Sequence, residues 1–157
     1  MTFHGRARYR RAARVSSAAG ALAVLLFSAA CAKKDDVTAP ILRGVKAVED
    51  RDADAFAGWL ARGYHDAEHA DPASAAAHVR QLGAGYDALK IDVSRLAVED
   101  LGTSRRARFR AELSGTPKNV GGFDAFLPRR SAWDFETSLV YEGGRWRIAT
   151  ASWKPAE

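Results

Sequence analysis

Gly143-Gly144 interrupts two runs of alternating aromatic and β-branched residues between Ser131 and Trp153, SAWDFETSLVYEGGRWRIATASW. A Gly-Gly pair supplies the two positive-φ positions of a two-residue hairpin turn, which side-chain-bearing L-residues resist. With the pair at the tip, Glu142 faces Arg145, Tyr141 faces Trp146, Leu139 faces Ile148, Thr137 faces Thr150 and Phe135 faces Ser152. This register predicts two unlike faces. One carries Phe135, Thr137, Leu139, Tyr141, Trp146, Ile148, Thr150 and Ser152, and the other carries Asp134, Glu136, Ser138, Val140, Glu142, Arg145 and Arg147, with Trp153 pointing outward.

The same period of two extends upstream. Leu89, Ile91 and Val93 alternate with polar residues until the phase slips near Arg95, which predicts a bulge or a strand end there. Ala107, Phe109, Ala111 and Leu113 alternate with Arg106, Arg108, Arg110 and Glu112, the pattern of a half-buried antiparallel strand. On a meander, Asp134 and Glu136 then lie beside Arg108 and Arg110, each pair contributing about 0.2–1 kcal/mol. Ser114 to Arg130 is a long, turn-rich connection whose Phe123, Phe126 and Leu127 are expected to plug one end of the core.

Before Leu89 the period is helical. Thr38 and Pro40 open a first helix with Ile41, Leu42, Val45 and Val48 on its apolar stripe. Asp52 caps a second helix whose Phe56, Trp59 and Leu60 face inward and which stops at Gly63. Tyr64 to Ala70 reads as a polar link, and Asp71-Pro72 opens a third helix through Val79 and Leu82, ended by Gly83 and Gly85.

The first 31 residues differ in kind. They contain Arg6, Arg8, Arg10, Arg11 and Arg14 and no acid, followed by an apolar run from Ala18 to Ala30 that is short for a spanning helix. The chain holds 24 Lys+Arg against 19 Asp+Glu, so without these five arginines 19 bases face 19 acids. Net charge therefore gives no reason to expect a nucleic-acid partner. Residues 1–30 read as an export signal. Phe27-Ser28-Ala29-Ala30-Cys31 resembles a bacterial lipoprotein lipobox, with Ser28 where that motif usually has an aliphatic residue. The resemblance implies lipidation of Cys31, the single cysteine of the chain. Residues 31–38 then form the lipidated Cys and a flexible tether. Ala32, in place of Asp, implies sorting to the outer membrane, facing the periplasm.

Three helices followed by a four-stranded antiparallel sheet that ends in L-V-Y-E-G-G-R-W-R-I resemble the NTF2-like (SnoaL-like, cystatin-like) superfamily. The resemblance covers about residues 40 to 154, including the helix segment Asp50 to Phe56, and implies an α+β cone over residues 39–157. The helices would pack in the concave face of a curved sheet. Its implied pocket lining is Trp59, Tyr64, Phe109, Trp133, Phe135, Thr137, Tyr141, Trp146 and Thr150.

Acid–base catalysis in such a cavity needs a carboxylate or His beside Tyr or a second acid, where burial draws its pKa towards neutrality. Tyr64, His65, Asp66 and Asp124 are the candidates near the mouth, whereas the inward strand faces hold no carboxylate or His. His65 and His69, with Asp66 or Asp71, have metal-ligand chemistry, but a segment between helix-stop and helix-start signals is expected to be a solvated loop rather than a metal site. No phosphate loop or nucleophile elbow is present, and no cofactor is expected. The sequence reads as a lipid-anchored envelope protein with a non-catalytic domain that binds a small apolar or amphipathic ligand or an envelope protein. The alternatives are an isomerase-, dehydratase- or hydrolase-type pocket enzyme using Tyr64, His65 and Asp66, and a membrane-tethered scaffold.

Overall fold

A computed structural model describes residues 36–119 and 127–157. The leader, Cys31, Phe123, Asp124 and Phe126 lie outside the described residues. The elements run α1 (Ala39–Glu49), α2 (Ala53–Ala57), β1 (Leu60–Asp66), α3 (Pro72–Gly85), β2 (Tyr86–Asp100), β3 (Ser104–Pro117), β4 (Arg130–Glu142) and β5 (Arg145–Pro155). The fold is α+β, with a curved, unclosed sheet of five strands in the order β1-β5-β4-β3-β2. All neighbours are antiparallel except β1, which runs parallel to β5. No helix among the described residues is long and apolar enough to cross a membrane.

The fifth strand corrects the sequence reading. Leu60 to Asp66, expected as the end of a helix and the start of a loop, is extended along β5. A bare β5 edge would leave unpaired backbone groups, and β1 covers it. The Ile148 amide donates to the Trp59 carbonyl at 2.9 Å. Arg145 and Arg147 donate to the Gly58 carbonyl at 2.7 and 2.5 Å, capturing the end of α2 and drawing the chain onto the sheet. Leu60, Ala61 and Tyr64 are thereby buried.

The helix starts follow local chemistry. Asp52 accepts from the Ala55 amide at 2.8 Å, and Asp71 and Ser74 form a reciprocal capping box. Thr38 precedes α1 without a side-chain cap and donates instead to Asp36. In α1 the inward stripe is Pro40, Ile41, Gly44 and Ala47, while Leu42, expected on that stripe, is 45% exposed. Gly83 lies buried within α3 rather than ending it. A Cβ there would meet the Arg51 side chain at 3.0 Å, so glycine allows that chain to pass.

In the sheet, the β2 phase slip falls where the alternation places it: pairing with β3 shifts between Ser94 and Ala97, and Arg95 has φ 55°. The rungs Arg108–Glu136 and Arg110–Asp134 are also as expected, the second a two-pronged contact at 2.8 and 2.9 Å. Gly143 and Gly144, at φ 61° and 81°, form the hairpin tip, and Glu142–Arg145, Tyr141–Trp146 and Leu139–Ile148 face each other.

Beyond Leu139 the expected register fails. Ala149 is an extra residue on β5, so Ser138 faces Thr150, Thr137 faces Ala151, and Phe135 faces Trp153. A bulge reverses the alternation of every residue after it. Thr150 and Ser152 therefore move to the charged face. Trp153 joins the face of Phe135, its ring 5.9 Å from that of Phe135, which in turn stacks on Phe109 at 5.1 Å and 3°.

The core gathers Ile41, Leu60, Tyr64, Ala75, Ala107, Phe109, Ala111, Leu139 and Ile148 between the helices and this face. Leu139 has no exposed surface. Leu139→Ala is expected to lower unfolding free energy by about 2–5 kcal/mol through lost burial and a cavity. Leu42→Ala should change it by no more than about 0.5 kcal/mol. Urea denaturation of the two variants measures the contrast.

Candidate functional site

Two arrangements have functional chemistry. The first is a polar network where β1 leads into α3. Asp66 ends β1 with its side chain only 1% exposed. Its carboxylate accepts from the Glu68 and His69 amides at 2.7 and 2.8 Å, from the Tyr64 hydroxyl, and from His69 Nδ1 at 2.9 Å. Two of these donors are backbone, so Asp66 organises the whole turn. His69 Nε2 lies 3.0 Å from Nδ1 of His78, which α3 presents in its second turn. With the His69 Nδ1 proton held by Asp66, Nε2 carries the lone pair and His78 is the donor.

Burial pushes the Asp66 carboxyl up, but the bonds from Tyr64, His69 and the two amides outweigh it and hold the group below the usual carboxylate range. Desolvation, with the bond to Asp66, pushes the Tyr64 hydroxyl far upward, so it stays protonated as a donor. Of the three sequence-predicted acid–base residues, Tyr64 and Asp66 meet and His65 does not. His65 is exposed, faces Thr150 across the sheet and contacts the Gly63 carbonyl at 3.1 Å. His78 was not among the candidates, because a strand end, a loop and a helix start separate it from Asp66.

The second arrangement is a groove of about 660 Å³ lined by Arg95, Arg108, Phe109, Arg110, Asp134, Phe135, Glu136, Ser152, Trp153 and Lys154. Arg108, Arg110, Asp134, Glu136, Ser152 and Lys154 share the charged face. Four cations against two carboxylates give the lining a net charge of +2 at neutral pH. Hydrogen bonds from Arg110 and Arg108 keep Asp134 and Glu136 below their ordinary pKa values, so both stay ionised. A groove of about 330 Å³ lies along Asp92, Glu112, Leu113, Ser114, Arg130, Ser131 and Ala132. Neither groove includes Tyr64, His65, Asp66 or His69.

Among the expected pocket-lining residues, Phe109 and Phe135 border the larger groove. Thr137 is 3% exposed, and its hydroxyl has no partner among the described residues. Trp59 packs against the guanidinium groups of Arg145 and Arg43, at 4.7 and 5.8 Å. Trp146 stacks with Arg105 at 4.9 Å and meets Tyr141 edge-on, leaving Tyr141 52% exposed. Trp133 faces Pro155, and Thr150 faces Ser138.

The fold is NTF2-like. A provisionally assigned scytalone dehydratase from Novosphingobium aromaticivorans superposes with a TM-score of 0.67 at 7% identity, over 77% of this chain and 82% of that one. An NTF2-like superfamily protein from Salmonella enterica gives 0.63 at 13% identity over 77% and 89%. An NTF2-like protein of unknown function from Pseudomonas putida gives 0.58 at 18% identity over 75% and 82%. No family model matches the sequence, and no curated protein matches it.

Because the folded pKa of Asp66 is depressed, the unfolded chain binds its proton more readily as pH falls. The stability this group contributes is complete above its unfolded pKa of about 3.9 and is lost as pH drops through the lower folded value. Asp66→Asn is therefore expected to cost about 1–3 kcal/mol at pH 6. The gap from wild type should narrow steadily in urea denaturations carried down towards pH 3.

Proposed function

We propose that this chain is an exported protein, anchored to the bacterial cell envelope through lipidated Cys31, whose NTF2-like domain binds an amphipathic anion without transforming it. The observation that carries the binding part is the larger groove. It lies on the charged face, where Arg95, Arg108, Arg110 and Lys154 give a cationic excess above the strand positions of Phe109, Phe135 and Trp153, and its volume is in the range of small-molecule sites. The aliphatic stems of those cations, with their charged ends, suit an amphipathic molecule with one negative end. Both carboxylates of the groove are held by arginines, and among the described residues no histidine lines it, so these residues offer it no free base.

The anchor rests on the Arg-rich leader, the apolar run and Ala29-Ala30-Cys31. Ala32 after the cysteine favours the periplasmic face of the outer membrane as the location. One observation favours a second reading, a pocket enzyme: His69 is oriented by a buried carboxylate, as a general base is. The likeness to a provisionally assigned dehydratase agrees with it at the level of fold.

Labelling the native host with an alkyne fatty acid is expected to mark wild type and leave Cys31→Ala unmarked; equal marking would refute the anchor. For the groove, 1-anilinonaphthalene-8-sulfonate serves as an amphipathic anionic probe. Saturable fluorescence enhancement should weaken at least fivefold in Lys154→Glu and in Arg95→Glu, with both variants folded by circular dichroism. Unchanged titrations in both would eliminate this groove as the binding site.

A further inference from the structure

Glu68, His69 and His78 place one ligand atom each within 4.8 Å of one another. We propose that these three side chains bind a divalent first-row transition metal of the zinc class. The site shares no residue with the amphiphile groove and stands independently of the reading given to it.

The imidazoles carry the argument. Nε2 of His69 and Nδ1 of His78 are 3.0 Å apart, with the rings edge to face at 71°. Two nitrogens on a tetrahedral zinc, each about 2.0–2.1 Å from the ion, stand about 3.3 Å apart, so the pair needs to open by about 0.3 Å. Both nitrogens can present lone pairs to an ion between them once His78 moves its proton to Nε2, a tautomer change that costs no net charge. In the metal-free arrangement the same two atoms share one proton, with His78 as donor.

Asp66 supplies the outer support that bound histidines ordinarily have. Its buried carboxylate accepts a hydrogen bond from the His69 Nδ1–H at 2.9 Å, which fixes Nε2 as the coordinating atom and makes the ring a better donor to a cation. The same carboxylate bonds to the Glu68 amide at 2.7 Å, so one group sets both the ring and the backbone of the third ligand. Glu68 and His78 are exposed, giving an ion direct access from solvent. The arrangement provides two nitrogens and one carboxylate oxygen, leaving the fourth tetrahedral position to water.

The cluster is not the His65 and His69 pair that the sequence reading set aside in favour of a solvated loop. His65 is on the adjacent β1 residue and its ring bonds to Gly63, whereas α3 brings His78 to His69 from nine residues away. A helix that begins at Pro72 and is fixed by its Asp71 capping box places position 78 in its second turn, above the loop that carries His69.

The full-length chain, solubilised in detergent and stripped with chelator, is titrated calorimetrically with zinc chloride and spectroscopically with cobalt chloride. Wild type is expected to bind one equivalent and to show the intense visible bands of tetrahedral cobalt. His69→Ala and the exposed-helix variant His78→Gln should each weaken binding at least tenfold. Asp66→Asn, which touches no metal, should weaken it by about 10- to 100-fold. Circular dichroism of His78→Gln keeps the test valid if His69→Ala or Asp66→Asn fails to fold. Absence of the cobalt bands in wild type, or titrations unchanged in folded His78→Gln, would overturn the proposal.

Discussion

One inserted residue in β5 decides which side chains share the inner face. Up to Ile148 the hairpin follows the count from its Gly143-Gly144 tip, and Ala149 then reverses the alternation. Without that bulge Ser152 would face Phe135 and Trp153 would project from the other side. With it, Phe109, Phe135 and Trp153 form a continuous aromatic column across three strands, and Thr150 and Ser152 join the charged face. Bulges also sharpen strand twist, so the bulges in β2 and β5 contribute to the curvature that lets one sheet embrace the helices.

The other organising constraint is the β5 edge. Parallel pairing with β1 satisfies its backbone, and the arginines of β5 reach across to the carbonyl at the end of α2. That capture turns the segment after α2 into a strand and carries Tyr64 and Asp66 into the interior. The buried carboxylate then needs donors, and the loop after it supplies two amides and an imidazole. The polar cluster is thus a consequence of β1 pairing with β5 at this edge, not an independent feature of a solvated loop.

These two constraints divide what the sequence reveals from what it does not. The hairpin tip, the break at Arg95 and the ion-paired rungs of β3 and β4 depend on residues a few positions apart, and each is visible as alternation or charge pattern. The Ala149 bulge left a trace as well, since the apolar parity shifts from Ile148 to Ala151 and Trp153. A count anchored only at the turn passes over it. The strand Leu60–Asp66 left almost none: LARGYHD is too short and too polar to signal extension, and the force that extends it comes from a strand more than eighty residues away. His78 was hidden for the same reason, because only the turn between β1 and α3 brings it to His69.

The weight given to binding over catalysis rests on where lone pairs are free. In the Tyr64–Asp66–His69–His78 chain every acceptor inside the fold already has a donor. The Asp66 carboxylate accepts from four, and His69 Nε2 accepts a hydrogen bond from His78 Nδ1–H. For His69 to act as a base, His78 would have to swing away and open a path to a nitrogen whose side chain is only 13% exposed. A metal ion makes a smaller demand. It enters between the two nitrogens by separating them a few tenths of an ångström, and it uses the carboxylate support in its present position. On the proposed reading, the same buried acid that would orient a catalytic base serves instead to hold a ligand, and the groove on the opposite flank of the alternation pattern receives the organic anion.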